Sequence, residues 1–247
     1  KVGNDSFGKE YLENLIDEGV NVKHVGKGSD GTGIAQITVS SAGENCIVIV
    51  PGANDEVSID YAEMALLDAI QPSTKVLLLQ NEIPLETSLG AIQIAKRRNE
   101  EILCIFNPAP APNDARSMYA ALKGRHVDII TPNETELAAL TGMPSNTEEE
   151  VECAARDLLN GCQAKAVIVT RGDKGAYLLT DGGSDENDSF SGDLSRFFPA
   201  DKVTATDTTG AGDSFMGALA ANLCRGQTME NSMKSALVCA SLSVTDM

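Results

Sequence analysis

At 247 residues the chain is long enough for one α/β domain with a sizeable core. Its 19 Lys and Arg against 36 Asp and Glu give a net charge of −17. That leaves no basic face for nucleic acid, and no apolar run nears the ~20 residues that cross a bilayer. The six cysteines (Cys46, Cys104, Cys153, Cys162, Cys224 and Cys239) form no Cys-x-x-Cys pair, and only two histidines accompany them, which argues against a zinc site or disulfide framework. Most of these cysteines lie in apolar surroundings and read as small buried residues, in keeping with a reducing, cytoplasmic setting, the nucleus being the other compartment open to it.

Residues 6–18 predict a helix that turns Leu12, Leu15 and Ile16 inward and stops at Gly19. Thr32 to Ser40 alternates apolar and polar residues, Cys46 to Val50 is a short apolar run, and Ser41-Ala42-Gly43-Glu44 joins them. This predicts a β-hairpin in a sheet with one wet face. After Gly52-Ala53-Asn54 the rhythm changes. Helix 58–69 leads to strand Val76–Leu79, and helix 86–98 to strand Ile102–Phe106. A helix near 113–123 leads to strand Val127–Ile130, and helix 147–160 to strand Ala166–Thr170. Short apolar strands without alternation, separated by helices, make a mostly parallel central sheet flanked by helices on both faces, an α/β fold. Tyr177-Leu178-Leu179 follows its predecessor too closely for a crossover and predicts an antiparallel edge hairpin. Gly182 to Ser195 is polar and acidic and reads as a surface loop.

In open α/β sheets ligands bind outside the carboxyl ends of the strands. Here those ends carry Gln80-Asn81-Glu82, Asn107-Pro108-Ala109-Pro110, Thr131-Pro132-Asn133-Glu134-Thr135-Glu136 and Thr170-Arg171-Gly172-Asp173-Lys174-Gly175. Thr131 to Glu134 reads as a capping box with proline at the first helical position, which occupies Glu134 structurally. Asn133 and Glu136 share one helix face and offer oxygen to magnesium, which takes few protein ligands; they equally suit two ordinary surface residues. The amides and hydroxyl of Thr170 to Gly175 could hold a nucleotide's phosphates, with Lys174 or Arg171 for charge, or form a plain hairpin turn. Gly26-Lys27-Gly28-Ser29-Asp30-Gly31 fits Gly-x-Gly-x-x-Gly, but it follows no apolar strand and precedes a strand, so it reads as a loop. A dehydrogenase reading would rest on it alone.

Asp207-Thr208-Thr209-Gly210-Ala211-Gly212-Asp213 says most about chemistry. Phe215, Leu219 and Leu223 recur at helical spacing, so a helix begins near Gly212 and buries that stripe. Free N–H groups at a helix start attract anions, and Gly210, Ala211 and Gly212 let a phosphate approach them closely. Asp213 beside an anion would only repel unless it serves as a base, the arrangement that phosphoryl transfer to an alcohol needs. The alternative is an acid favoured by the helix dipole.

This heptapeptide closely resembles the catalytic signature of the ribokinase-like carbohydrate kinases. The likeness runs in order along nearly the whole chain: Val2-Gly3-Asn4-Asp5-Ser6-Phe7-Gly8, Thr32-Gly33-Ile34-Ala35, Pro51-Gly52-Ala53-Asn54, the Glu82 region, Asn107 to Pro110, Asn133 to Glu136, Thr170 to Gly175 and Asp207 to Asp213. The resemblance implies a central α/β domain with a small β lid near 32–51, ATP as donor, magnesium, and a homodimer formed through the lid. It makes Asp213 the base toward a sugar hydroxyl and the Gly210–Gly212 amides an anion hole. It places Glu82 in the sugar pocket, Asn133, Thr170 to Gly175, Gly212 and Asp213 at ATP, and Glu136 on Mg2+ through water. It also implies a potassium site at Asp207, the Thr209 carbonyl and Ser243. The Asn107 and Asn133 segments favour ribose as the sugar, giving ribose 5-phosphate; another sugar or a nucleoside stays open, as does an inactive form.

The departures from that family pattern lie at the ends. The chain starts at Lys1 and stops in mid-pattern at Met247, without an Asn-x-Asp strand or a Gly-Gly-Lys-Gly-Ala-Asn motif. It therefore reads as truncated at both ends, lacking two lid strands and part of the cation loop. The expectation for such a piece is poor solubility and negligible sugar phosphorylation on its own.

Overall fold

Apolar runs four or five residues long, each released by a helix, set the larger part of the structure. A computed structural model describes residues 1–39, 45–112, 114–182, 190 and 194–245. The chain forms two units, residues 1–70 with 81–91, and residues 71–80 with 92–247.

The first unit opens with α1 (Ser6–Asp17), capped by Asp5, whose Oδ1 accepts the Gly8 amide at 2.8 Å. Leu12 and Leu15 of α1 are half-buried, but Ile16 is exposed, against the expectation that it faces inward. Strands β1 (Ile34–Val39) and β2 (Asn45–Val50) pair antiparallel, with Ile34 opposite Val50. The turn expected at 41–44 lies outside the described residues. The wet face predicted for this hairpin is corrected to two: Ile34 and Ile37 point to opposite sides, and both are exposed. A two-stranded ribbon has no partner layer of its own. A short 3-10 helix, Gly52–Glu56, leads to α2 (Ile59–Ala69), capped by Ser58.

The second unit is built on β3 (Val76–Gln80), β4 (Leu103–Asn107), β5 (Ile129–Ile130), β6 (Ala166–Thr170), β7 (Ala176–Thr180) and β8 (Ser195–Phe198), adjacent in that order. The first four are parallel and the last two antiparallel. The fold is thus the expected mostly parallel α/β sheet. Strand β7 is not its edge, because β8 pairs beyond it and begins at Ser195, where the expected loop ends.

The pleat sends Ile105, Ile129, Ala166, Ile168 and Leu178 to one face, where Phe215, Leu219, Met233 and Leu237 of α7 (Ala211–Cys224) and α8 (Met229–Ser243) cover them. The alternate residues, Cys104, Phe106, Ile130, Val167 and Val169, are equally buried on the other face. Helix α3 spans Leu85–Arg98; the others are α4 (Ala115–Leu122), α5 (Glu134–Thr141) and α6 (Glu148–Cys162). Of the five cysteines whose side chains are described only Cys104 and Cys162 are buried, while Cys153 and Cys239 are exposed, so the reading of most as core residues is corrected. No described helix is long and apolar enough to cross a membrane.

Candidate functional site

The start of α7 is shaped by residues without side chains. Gly210 is its N-cap at φ 76°, a conformation glycine takes without steric cost, and it offers no side-chain cap. The Ala211 amide makes a long bond to the Thr208 carbonyl, 3.3 Å. The amides of Gly210, Gly212 and Asp213 have no acceptor among the described residues. A β-carbon added at Gly212 would meet nothing within 4 Å, so the space before these amides is open. Asp213, in the first turn, is exposed.

A cavity of about 580 Å3 lies against this helix start. Thr170, Gly172, Asp173 and Gly175 line it from the turn after β6, and Ala211 and Gly212 from α7. Leu237 and Val244 add an apolar wall. The two segments predicted as phosphate sites therefore share one pocket. Lys202 also lines it, a residue the sequence did not single out because it sits in the irregular stretch between β8 and α7.

Asn133 lies next to this edge, since the Thr170 amide donates to the Pro132 carbonyl at 3.0 Å. It caps α5, and the capping box is corrected by two residues. Asn133 Oδ1 accepts the Glu136 amide and Glu136 Oε2 accepts the Asn133 amide, each at 2.8 Å. Asn133 three residues before Glu136 also satisfies the box rule, and Pro132 falls just outside the helix. Glu136 is thus 6% exposed, and burial raises its pKa even though the Asn133 amide pulls it down. Glu134 is free of the box and instead accepts from Arg171 Nε at 2.9 Å. Arg171 is buried in that pair, while Lys174 is exposed, 3.5 Å from the same oxygen.

Asp207 Oδ1 accepts the Thr209 amide at 2.9 Å, which holds its carboxyl below the usual range. The Thr206 and Asp207 amides donate to the Val244 carbonyl at 2.7 and 3.4 Å. Asp207 and Thr209 therefore lie on backbone joined to the segment that carries Ser243. The Ser243 hydroxyl donates to the Ala240 carbonyl at 3.0 Å and keeps lone pairs to offer. Magnesium fits less well, because Glu136 is committed to the cap. Glu82 is exposed just before α3 and belongs to the first unit. The Gly26–Gly31 loop is no anion site: the Ser29 and Asp30 amides donate to the Glu56 carboxylate at 3.0 and 2.7 Å.

The family model of the pfkB family carbohydrate kinases matches residues 1–247. The chain belongs to that family. It is 36% identical over 246 residues to a deoxyribokinase of Salmonella typhimurium, covering 99% of this chain and 74% of the relative. It is also 36% identical over 246 residues to a ribokinase of Schizosaccharomyces pombe, covering 98% and 71%. Among solved structures, the Thermotoga maritima ribokinase superposes with a TM-score of 0.77 at 35% identity, over 100% of this chain and 73% of that one. The Arabidopsis thaliana ribokinase complexed with ribose and ATP gives 0.76 at 28% identity, over 99% and 74%. The architecture is that of a ribokinase, the small antiparallel sheet is consistent with a lid, and the chain is a carbohydrate kinase.

Proposed function

We propose that this kinase transfers the terminal phosphoryl group of ATP to the primary hydroxyl of D-ribose, giving ribose 5-phosphate and ADP. The observation that carries the reading is the uncapped start of α7: open amides beside an exposed carboxylate, at the mouth of a cavity shared with a glycine turn. Asp213 takes the hydroxyl proton as the oxygen attacks phosphorus. The amides of Gly210, Ala211 and Gly212 hold the charge that grows on the transferred group, and do so without reorganising. The turn Thr170–Gly175 holds the remaining phosphates, Asn133 contacts the nucleotide, and Glu82 belongs to the sugar pocket. Mg2+ would neutralise phosphate charge on ATP, and Glu136, whose Oε2 accepts the Asn133 amide, would reach it only through water. Asp207, the Thr209 carbonyl and Ser243 would hold a potassium ion, whose charge would keep the loop before α7 in shape. The hairpin β1–β2 serves as lid and as the contact for a homodimer, in the cytoplasm.

Deoxyribose is the second reading, favoured by the likeness to the Salmonella typhimurium deoxyribokinase. ADP release by the full-length protein with ribose, 2-deoxyribose, fructose and adenosine decides between them. Ribose is expected to give the highest kcat/KM. A higher value for deoxyribose replaces the substrate, and no acceptor-dependent release with any of the four removes the proposal.

A further inference from the structure

We infer that Arg171 is a positioning residue that holds the nucleotide-binding turn through Glu134 and does not touch the nucleotide. This rests on the reading that Thr170–Gly175 takes the phosphates of ATP.

The Arg171 side chain is 4% exposed. Its Nε donates to Glu134 Oε1 at 2.9 Å, and Nη1 lies 3.7 Å from Glu148 Oε1. The guanidinium carbon stands 5.1 Å from the centre of the Phe197 ring. Glu134 opens α5, Glu148 opens α6 and Phe197 lies on β8, so one side chain ties the turn to three elements. The Arg171 amide donates to the Gly175 carbonyl at 2.8 Å and closes the turn on itself. With Lys174 3.5 Å from Glu134, two cations balance two carboxylates locally. The Nε donor of Arg171 is therefore committed to Glu134, and a side chain only 4% exposed presents little surface to a ligand.

Backbone bonds shape the turn, the Lys174 and Gly175 amides donating to the Arg171 and Gly172 carbonyls at 3.1 and 3.0 Å, and Gly175 packs against the backbone of residues 198–200. Gly172 and Gly175 line the cavity with φ of 56° and 96°. A β-carbon at Gly172 would meet nothing within 4 Å, so no packing pins that residue. Within 171–174 only Arg171 has a buried side chain, so it is the side chain that anchors the Gly172 end of the turn to the rest of the unit.

The test compares the wild type with Glu134→Gln and Arg171→Lys, measuring KM for ATP, kcat and the ADP dissociation constant by calorimetry. Loss of the pair from the Glu134 side is expected to raise both KM and the dissociation constant on the order of tenfold. The kcat should stay within about twofold, the split expected when binding alone is lost. Arg171→Lys, which keeps the charge but not the fork, should fall between. Were Arg171 a direct phosphate ligand, Glu134→Gln would leave ATP binding unchanged or tighten it, by removing a negative charge and releasing the guanidinium. That sign overturns the inference. So does a lowered melting temperature with KM and ADP affinity unmoved in both variants. A wild type that takes up neither ATP nor ADP removes the nucleotide site itself, and the inference with it.

Discussion

Helices α5 and α7 begin with similar local chemistry and end up with opposite capacities. Each has a turn residue at its cap and an acid in the first turn. At α5, Asn133 and Glu136 satisfy one another's amides, and the helix start is closed. At α7, Gly210 supplies no side chain, and the first-turn amides face open space. The dipole is the same at both ends, so what makes a helix start an anion site is the missing internal acceptor. The Gly26–Gly31 loop repeats the α5 case, with the Glu56 carboxylate in the place an anion would take.

The comparison breaks most readily at Asp213. If α7 is the reacting end, Asp213→Asn should cut kcat by ~10³-fold, the usual worth of a positioned general base. ADP affinity, measured by calorimetry, should hardly change. A variant that turns over sugar at the parental rate would move the chemistry away from α7.

Gly212 sharpens the same contrast with a smaller effect. A methyl there meets no protein atom within 4 Å, and alanine is the better helix former by about 1 kcal/mol. Gly212→Ala should therefore keep or raise the melting temperature. It should also lower the rate by ~10²-fold, because a methyl in the anion's approach displaces the phosphoryl group from its donors. Gain in stability with loss of activity is the signature expected of a position left open for a ligand. Equal activity would mean that no phosphate comes close to Gly212.

What could be read from sequence follows the range of the forces involved. The parallel strands were legible because burial on both faces leaves an unbroken apolar run, as in Ile102 to Phe106. The α7 start was legible because glycine, alanine and a first-turn acid act within one turn of chain. Strand β8 was hidden, since two of its four residues face solvent. The hairpin alternation showed which side chains could be buried and gave no sign of what would cover them. The Arg171–Glu134 pair was not legible because its two residues stand 37 apart in the chain and meet only in the fold.

The smallest expected effect tests the burial of Glu136 at the closed helix start. Burial raises the Glu136 pKa above its ordinary 4.5. The folded chain therefore holds that proton more tightly than the unfolded chain, and between the two values it binds more protons. The stability slope with pH is then negative in that window: this group costs stability as pH rises through it, and the cost stays constant above. Glu136→Gln keeps an oxygen for the Asn133 amide and removes the titration. The variant should match the parent below about pH 4.5 and exceed it at neutral pH, read as a higher urea midpoint at unchanged m. If Glu136 also acts on magnesium through water, the same variant should need more Mg2+ for half-maximal rate. Stability curves that run parallel across the pH range would mean that Glu136 titrates alike folded and unfolded, its burial being offset by the Asn133 amide or absent.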